Sequence, residues 1–507
     1  MVIPFIGILS FPSLVWFANP WTVIGNDASR YMLASMYLFS GRNFVTLAGN
    51  HGPVLPALIG LLTLLFGRDT DTLAWAVRLL ALLNPLLAYF LVKKLSGPLA
   101  GLVSAALVAL LGYNMTASSA FNIDGVMLTV YLLALLILIA AVQRDNPSLA
   151  FLSGLLLGAS ILTKETALAN IPLALLAVLL LNWRLRGALL HYLGLALVCL
   201  PWWAWVYSFD GKIYLVGNLP TGLQLPSLVV ILVLMGLASG AYSSGAITRL
   251  LDNERLRLWA GWLVVVAWTV SLSGLLLSSG SHALSNLSYD GLKQYLSELL
   301  YPVGIVVPVL LLIAGYMIWK TRKRDAPWRL LTLALLFQAP VILLVAIEGW
   351  AWRQFLVPQS LLFCALAALV VDAIRVTVRG RTYSGRFLAA FAAASLTILL
   401  LAAAGEQVRY LLPGKTENVA KEHQVAPEAS KMINWMSRNV PEGKNILVSS
   451  AQANYVIFLD GGQHDWSQIK LDQSICVPRP NVQMRCDVNQ NDVSQIPRNA
   501  VWVQMVG

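Results

Sequence analysis

Charge is what this chain has least of: Asp, Glu, Lys and Arg make up 12% of its 507 residues, against 58% hydrophobic ones. Soluble domains carry about a quarter charged residues, and a mean hydropathy of +0.71 leaves far more apolar surface than a water-facing fold can hide. Cysteine is also sparse, with four in all. Cys199 and Cys364 fall in apolar stretches and read as packing residues, which leaves Cys476 and Cys486 as one candidate bridge. No P-loop or dinucleotide fingerprint is present, no His, Cys or carboxylate cluster has the spacing of a zinc site, and no Ser-His-Asp arrangement can be assigned. No tandem repeat is visible. No charged n-region precedes a cleavable apolar core, so a removable signal peptide is not expected.

What is present is a series of apolar windows long enough to cross a bilayer, about 20 residues each. About thirteen are expected, near 2–19, 72–92, 97–117, 125–142, 148–163, 166–181, 188–207, 226–246, 258–278, 301–319, 328–347, 355–373 and 386–404. The net charge of +11 does not indicate nucleic acid, because the basic residues sit in the short loops between these windows. Lys93-Lys94, Arg144, Arg184 and Arg186, Arg249, Arg255 and Arg257, Lys320 to Arg324 with Arg329, and Arg375 to Arg386 alternate onto one side. The positive-inside rule makes that side cytoplasmic. The N-terminus is then inside, while the first loop and the C-terminal tail are outside. The chain reads as a multi-pass protein of the cytoplasmic (inner) membrane.

From Gly405 the pattern turns soluble. Pro427 to Asn439 predicts a short amphipathic helix, stopped by Pro441-Glu442-Gly443. Asn445-Ile446-Leu447-Val448 and Ala500-Val501-Trp502-Val503 predict strands. Two domains are expected: a transmembrane one over 1–404 and a small extracytoplasmic α/β one over 405–507. Residues 286–300 predict a helix lying in the headgroup layer, with Leu292, Tyr295, Leu296 and Leu299 on one stripe.

The first outer loop carries Asn26-Asp27-Ala28-Ser29-Arg30-Tyr31, then His51-Gly52-Pro53-Val54-Leu55-Pro56, closing on Leu65-Phe66-Gly67. A carboxylate just outside a bilayer, ahead of a Pro-rich entry into an apolar helix, is an unusual place to leave a charge unless it binds something. This loop resembles the first external loop of polyprenyl-phosphate-sugar-dependent glycosyltransferases. They form the GT-C membrane class, which includes protein O-mannosyltransferases and lipid A aminoarabinose transferases. The resemblance implies a GT-C-like polytopic α-helical fold, with interfacial helices over Ala28 to Ser40 and Pro53 to Phe66 beside the active-site cavity. It makes Asp27 the catalytic base, with Tyr31 and His51 positioning acceptor or donor. Capping of the helix that starts at Ala28 is the structural alternative for Asn26 or Asp27. Many relatives carry Asp-Glu where this chain has Asp27-Ala28.

Three further positions match the class. Asp124, in Phe121-Asn122-Ile123-Asp124-Gly125, corresponds to a second acidic position that helps place acceptor or donor; its alternative is an N-cap. Lys164, in Leu162-Thr163-Lys164-Glu165, looks like a phosphate partner, with snorkelling or pairing with Glu165 as the alternative. Arg353 resembles an Arg that opens a late span and grips phosphate with two parallel hydrogen bonds, oriented by Glu348; its alternative is an interfacial anchor between tryptophans.

Transfer from a lipid-linked sugar needs fixed cations for the departing phosphate and a carboxylate for the acceptor proton. An inverting single displacement requires no cofactor, though carboxylates and a phosphate can hold a divalent cation. The expected partners are a polyprenyl-phosphate sugar donor, membrane lipids and a lipid, glycan or protein acceptor. Two other readings stand beside this one. A degenerate transferase fold can serve as a non-catalytic subunit of a membrane assembly, a reading that Ala28 supports. A lipid or solute transporter is disfavoured by the few ionisable residues at mid-span and by the lack of paired Gly/Pro-broken helices.

Overall fold

The computed structural model describes residues 26–38, 44, 51–68, 70–109, 123–210, 251–279, 326–348, 356–380, 394, 438–439, 445–448, 465–468 and 501–503. The expected spans 2–19, 226–246, 301–319 and, apart from Ala394, 386–404, the surface helix 286–300, the residue Arg353 and the cysteines Cys476 and Cys486 lie outside these residues. The chain divides into two compact units. One comprises Met1–Leu14, Leu80–Ala117 and Ile123–Tyr410, and the other Val15–Leu79, Ser118–Asn122 and Leu411–Gly507.

Long apolar helices build the first unit. They are α3 (Thr70–Ser96), which belongs to this unit from Leu80 on, α4 (Pro98–Ala109), α5 (Ile123–Arg144), α6 (Pro147–Ile161), α7 (Leu173–Leu181), α8 (Leu185–Asp210), α9 (Glu254–Ser279), α10 (Ala326–Glu348) and α11 (Leu356–Gly380). Most match an expected span within a few residues. Among the described residues, α5 and the stretch Leu185–Ser208 of α8 are long and apolar enough to cross a membrane on length and composition alone. At 1.5 Å per residue the 22 residues of α5 reach roughly 33 Å, close to the bilayer's hydrocarbon thickness.

The span expected over 166–181 is not one α-helix. A 3-10 helix, Glu165–Asn170, leads into Ile171-Pro172, and α7 starts only at Leu173. Pro172 has no N–H to donate and crowds the residue before it, so the α-helical ladder cannot run through this point.

The turns at one end follow from local chemistry. Asn146 caps α6, its side chain accepting from the amides of Ser148 and Leu149, and Pro147 fills the first helical position, where no N–H is needed. Asn182 closes α7 in the left-handed conformation, which Asn tolerates better than most residues.

Packing between α6 and α8 is close enough to require glycine. A Cβ on Gly154 would collide with the His191 carbonyl, and one on Gly194 with the Phe151 carbonyl. Small residues let membrane helices approach in this way. The Ser153 hydroxyl, which donates to the Ala150 carbonyl, also lies 2.7 Å from His191 Nδ1. Between α5 and α3, Thr129 Oγ1 reaches Asn84 Oδ1 at 2.8 Å and the Leu80 carbonyl at 3.1 Å.

In the second unit α1 (Asn26–Met36) packs on α2 (Val54–Phe66). These are the two expected helices of the first outer loop. Met32 and Leu33 are fully buried, as are Leu55 and Ile59. Leu64 and Leu65 at the far end of α2 are exposed. Three short strands, β1 (Asn445–Val448), β2 (Asp465–Gln468) and β3 (Val501–Val503), pair in parallel in the order β2-β1-β3, with Ile446 opposite both Trp466 and Val501. The hydrophobic pattern predicts β1 and β3. β2 escapes it because Asp-Trp-Ser-Gln has no apolar alternation. Of the helix expected over 427–439, only Arg438 and Asn439 belong to the described residues, and both are helical.

Candidate active site

The first unit has two chemically different ends. α5 runs from Asp124 to Arg144, α6 returns from Pro147 to Ile161, and the 3-10 helix and α7 descend again from Lys164 to Asn182. At the Arg144 end, basic residues meet helix C-termini. Arg329 Nη1 donates to the Leu180 carbonyl at 2.9 Å and Arg257 donates to Asn182 Oδ1. Arg375 donates to the Ser96 carbonyl, while the Ser96 hydroxyl donates to Asp372 at 2.7 Å. Arg184 pairs with Asp145 at 2.7 Å. Partial burial and the charge of Arg144 together hold Lys94 below the usual lysine range. Cations here satisfy the last carbonyls and the negative ends of the helix dipoles. The described basic residues of the loops grouped by charge in the sequence thus share one end of the bundle.

The opposite end holds an ion pair. Lys164 Nζ donates to Asp124 Oδ1 at 2.5 Å, and the two residues are 6% and 3% exposed. Local structure aims both groups. Asp124 is the second residue of α5, so it stands inside the first turn and not at the cap position. Lys164 is extended, with φ −150° and ψ 133°, between the end of α6 and the 3-10 helix. Its amide donates to the Ser160 carbonyl at 2.9 Å and its carbonyl accepts from Ala167 at 3.2 Å. Ser160 Oγ reaches the Met127 carbonyl on α5 at 3.4 Å, which holds α5 and α6 in register beneath the pair.

Lys164 therefore neither snorkels nor turns its ammonium to Glu165 alone; it reaches across to α5. The two partners are 40 residues apart in sequence, and no local motif signals that contact. It is visible only by counting the α5–α6 hairpin, which brings positions equidistant from the Asp145-Asn146 turn to one level. Glu348 closes α10 and Leu356 opens α11 at this same end, because Arg329 and Arg375 occupy the other ends of those helices.

In the second unit Asp27 stands in the first turn of α1, one turn ahead of Tyr31. Tyr31 is buried and its ring lies 6.2 Å from that of His51, tilted by 54°. The structure thus brings His51 of the His-Gly-Pro motif onto α1. Ser35 Oγ donates to the Met32 carbonyl at 2.6 Å, and a Cβ at Gly60 would lie 3.3 Å from Leu38, so α1 and α2 pack closely. Among the described residues no three His, Cys, Asp or Glu side chains converge as metal ligands.

Similarity in structure extends to the Archaeoglobus fulgidus oligosaccharyltransferase, solved in complex with Zn and sulfate. The TM-score is 0.56 at 16% identity, over 91% of this chain and 62% of that one. The same oligosaccharyltransferase tethered to an acceptor peptide matches with a TM-score of 0.55 at 15% identity, over 92% of this chain and 63% of that one. This chain thus spans less than two thirds of the length of that protein. ArnT from Cupriavidus metallidurans aligns with a TM-score of 0.41 at 15% identity, over 92% of this chain and 85% of that one. By sequence, residues 50–205 match the family described as dolichyl-phosphate-mannose-protein mannosyltransferase. No curated protein matches the chain in sequence.

Proposed function

We propose that this chain transfers a sugar from a polyprenyl-phosphate donor to an acceptor at the outer face of the cytoplasmic membrane. One observation carries the reading: a buried Lys164–Asp124 pair lies at the bundle end opposite the basic loops, in a chain with the GT-C fold. Burying charge at a membrane boundary is costly, and the family match over residues 50–205 includes both partners.

The chemistry is a single displacement with inversion. An acceptor hydroxyl attacks the anomeric carbon while the bond from that carbon to the phosphate oxygen breaks, leaving the electron pair on polyprenyl phosphate. Asp27 accepts the hydroxyl proton. Lys164 has three donors, and beside its bond to Asp124 it offers hydrogen to the phosphate oxygens, whose charge grows as the bond breaks. Asp124 is a positioning residue that holds the ammonium in place. Arg353 supplies a second, bidentate grip, and Tyr31 and His51 position acceptor or donor. Residues 1–404 form the transferase domain and 405–507 an outer α/β domain. The acceptor is a lipid, a glycan or a protein. A divalent cation bound by the carboxylates and the phosphate would add charge neutralisation there.

The test is Asp27→Asn in the purified full chain, supplied with polyprenyl-phosphate sugars. Transfer should fall about a hundredfold or more while binding of undecaprenyl phosphate persists. Undiminished transfer removes Asp27 as the base. A second reading, a non-catalytic subunit, is favoured by Ala28 where many relatives have Glu. It requires a stable copurifying partner and no turnover with any lipid-linked sugar.

A further inference from the structure

Lys164 leads into a segment that is not a regular helix, and two side chains from other elements complete its backbone. The 3-10 helix Glu165–Asn170 passes through Ile171-Pro172 before α7 begins. In a 3-10 helix each carbonyl accepts from the amide three residues on. For Ala169 that residue is Pro172, which has no N–H. The indole of Trp268, on α9, takes its place: Nε1 donates to the Ala169 carbonyl at 2.9 Å.

A second gap lies just beyond. An unbroken α-helix would join the Leu175 amide to the Ile171 carbonyl, four residues apart. Here the Tyr192 hydroxyl, from α8, stands between the two, accepting from the Leu175 amide at 3.2 Å and donating to the Ile171 carbonyl at 3.0 Å. A side chain inserted into the ladder in this way holds a break open. A hydroxyl both donates and accepts, whereas an indole N–H only donates, so each side chain matches what Pro172 leaves unfilled. The segment's own polar side chains do not share the task. Thr166 Oγ1 and both side-chain polar atoms of Asn170 are buried and, among the described residues, have no hydrogen-bond partner.

The braced backbone leads directly to the site. Ala169 follows Lys164 by five residues, about 10 Å at the 3-10 rise. Between them the Lys164 carbonyl accepts from the Ala167 amide at 3.2 Å, so a displacement of the 3-10 helix is passed to the extended residue that carries the ammonium. We propose that Tyr192 and Trp268 are positioning residues for the donor phosphate. By closing the backbone on either side of Asn170 they fix the segment, and through it the point where the Lys164 ammonium meets the phosphate of the lipid-linked donor. The role rests on the functional reading above and names two residues, from α8 and α9, that act through Lys164.

The experiment is a double-mutant cycle on the full chain in lipid nanodiscs, with undecaprenyl phosphate as the probe. Tyr192→Phe removes one oxygen, and Trp268→Phe removes the N–H but keeps an aromatic ring. Each should weaken binding about fivefold in the parent chain. In the chain that carries Asp124→Leu with Lys164→Met, the same substitutions should change affinity by less than twofold. Equal weakening in both backgrounds overturns the proposal, because it marks a general structural role. Unchanged binding in the parent background overturns it too. Transfer kinetics give a reading that does not need the second background: the loss should fall on kcat more than on KM, since the phosphate charge that Lys164 meets grows as the bond breaks. A loss confined to KM counts against the role. Tyr192→Phe keeps the test decisive if Trp268→Phe fails to fold. A parent chain that binds no undecaprenyl phosphate removes the proposed function and this role with it, whereas a failed cycle in a chain that binds removes the role alone.

Discussion

Lys164 and Asp124 face one another across the α5–α6 hairpin at 2.5 Å, both buried. Neither charge is stable there without the other. Removing one partner leaves an uncompensated buried ion, which costs about 3–5 kcal/mol. Asp124→Asn or Lys164→Met should therefore lower the unfolding midpoint clearly. The double variant Asp124→Leu with Lys164→Met should recover most of the stability but no transfer activity. Thermal unfolding of the detergent-solubilised chain, read beside activity, checks this. A double variant no more stable than either single one shows that the pair is not coupled.

The α6–α8 crossing sets a second expectation. A methyl group at Gly154 meets the His191 carbonyl, a backbone atom that cannot swing away. Gly154→Ala should separate the helices, with a loss of about 3 kcal/mol, at the upper end for overpacking. Ser153→Ala should cost less, about 1 kcal/mol, the value of one hydrogen bond. Comparison of the two melting curves decides, and a Gly154→Ala protein as stable as the parent contradicts the packing.

Tyr31 and His51 meet at 6.2 Å between rings, a contact worth about 0.5–1.5 kcal/mol. His51→Ala should thus raise KM severalfold with a modest change in kcat, and His51→Phe, which keeps a ring against Tyr31, should restore most of the loss. A fall in kcat alone, without rescue by Phe, would move His51 from positioning to proton transfer.

Orientation can be read directly. Arg184, with a side chain 80% exposed, stands at the basic end beside Asp145. A cysteine at 184, in a chain otherwise free of cysteine, should react with a membrane-impermeant maleimide only in inside-out vesicles. Labelling from the outside would invert the topology.

Much of the architecture was legible because bilayer physics is one-dimensional. A span needs enough apolar residues to cross, so α5, α8 and α10 appear in the hydropathy pattern within a few residues of their ends. The basic loops likewise declare a common side, since each Lys or Arg in a short loop resists translocation. That side is where Arg184, Arg257, Arg329 and Arg375 gather. Two local features were legible in principle but overridden by the apolar run around them. Pro172 splits the span over 166–181, and Asn182 supplies the left-handed stop. β2, with no alternation, was not legible.

The sequence alone determined which residues carry charge, in which loops they stand and therefore which end of the bundle is basic. It also placed Asp124 and Lys164 near the membrane boundary opposite the basic loops. Only the tertiary structure decided that these two face one another and that Tyr31 meets His51. The reason is one of range. Hydropathy and charge act through each residue's own exchange with water, which can be read position by position, whereas a pairing across 40 residues depends on how the intervening helices turn and pack.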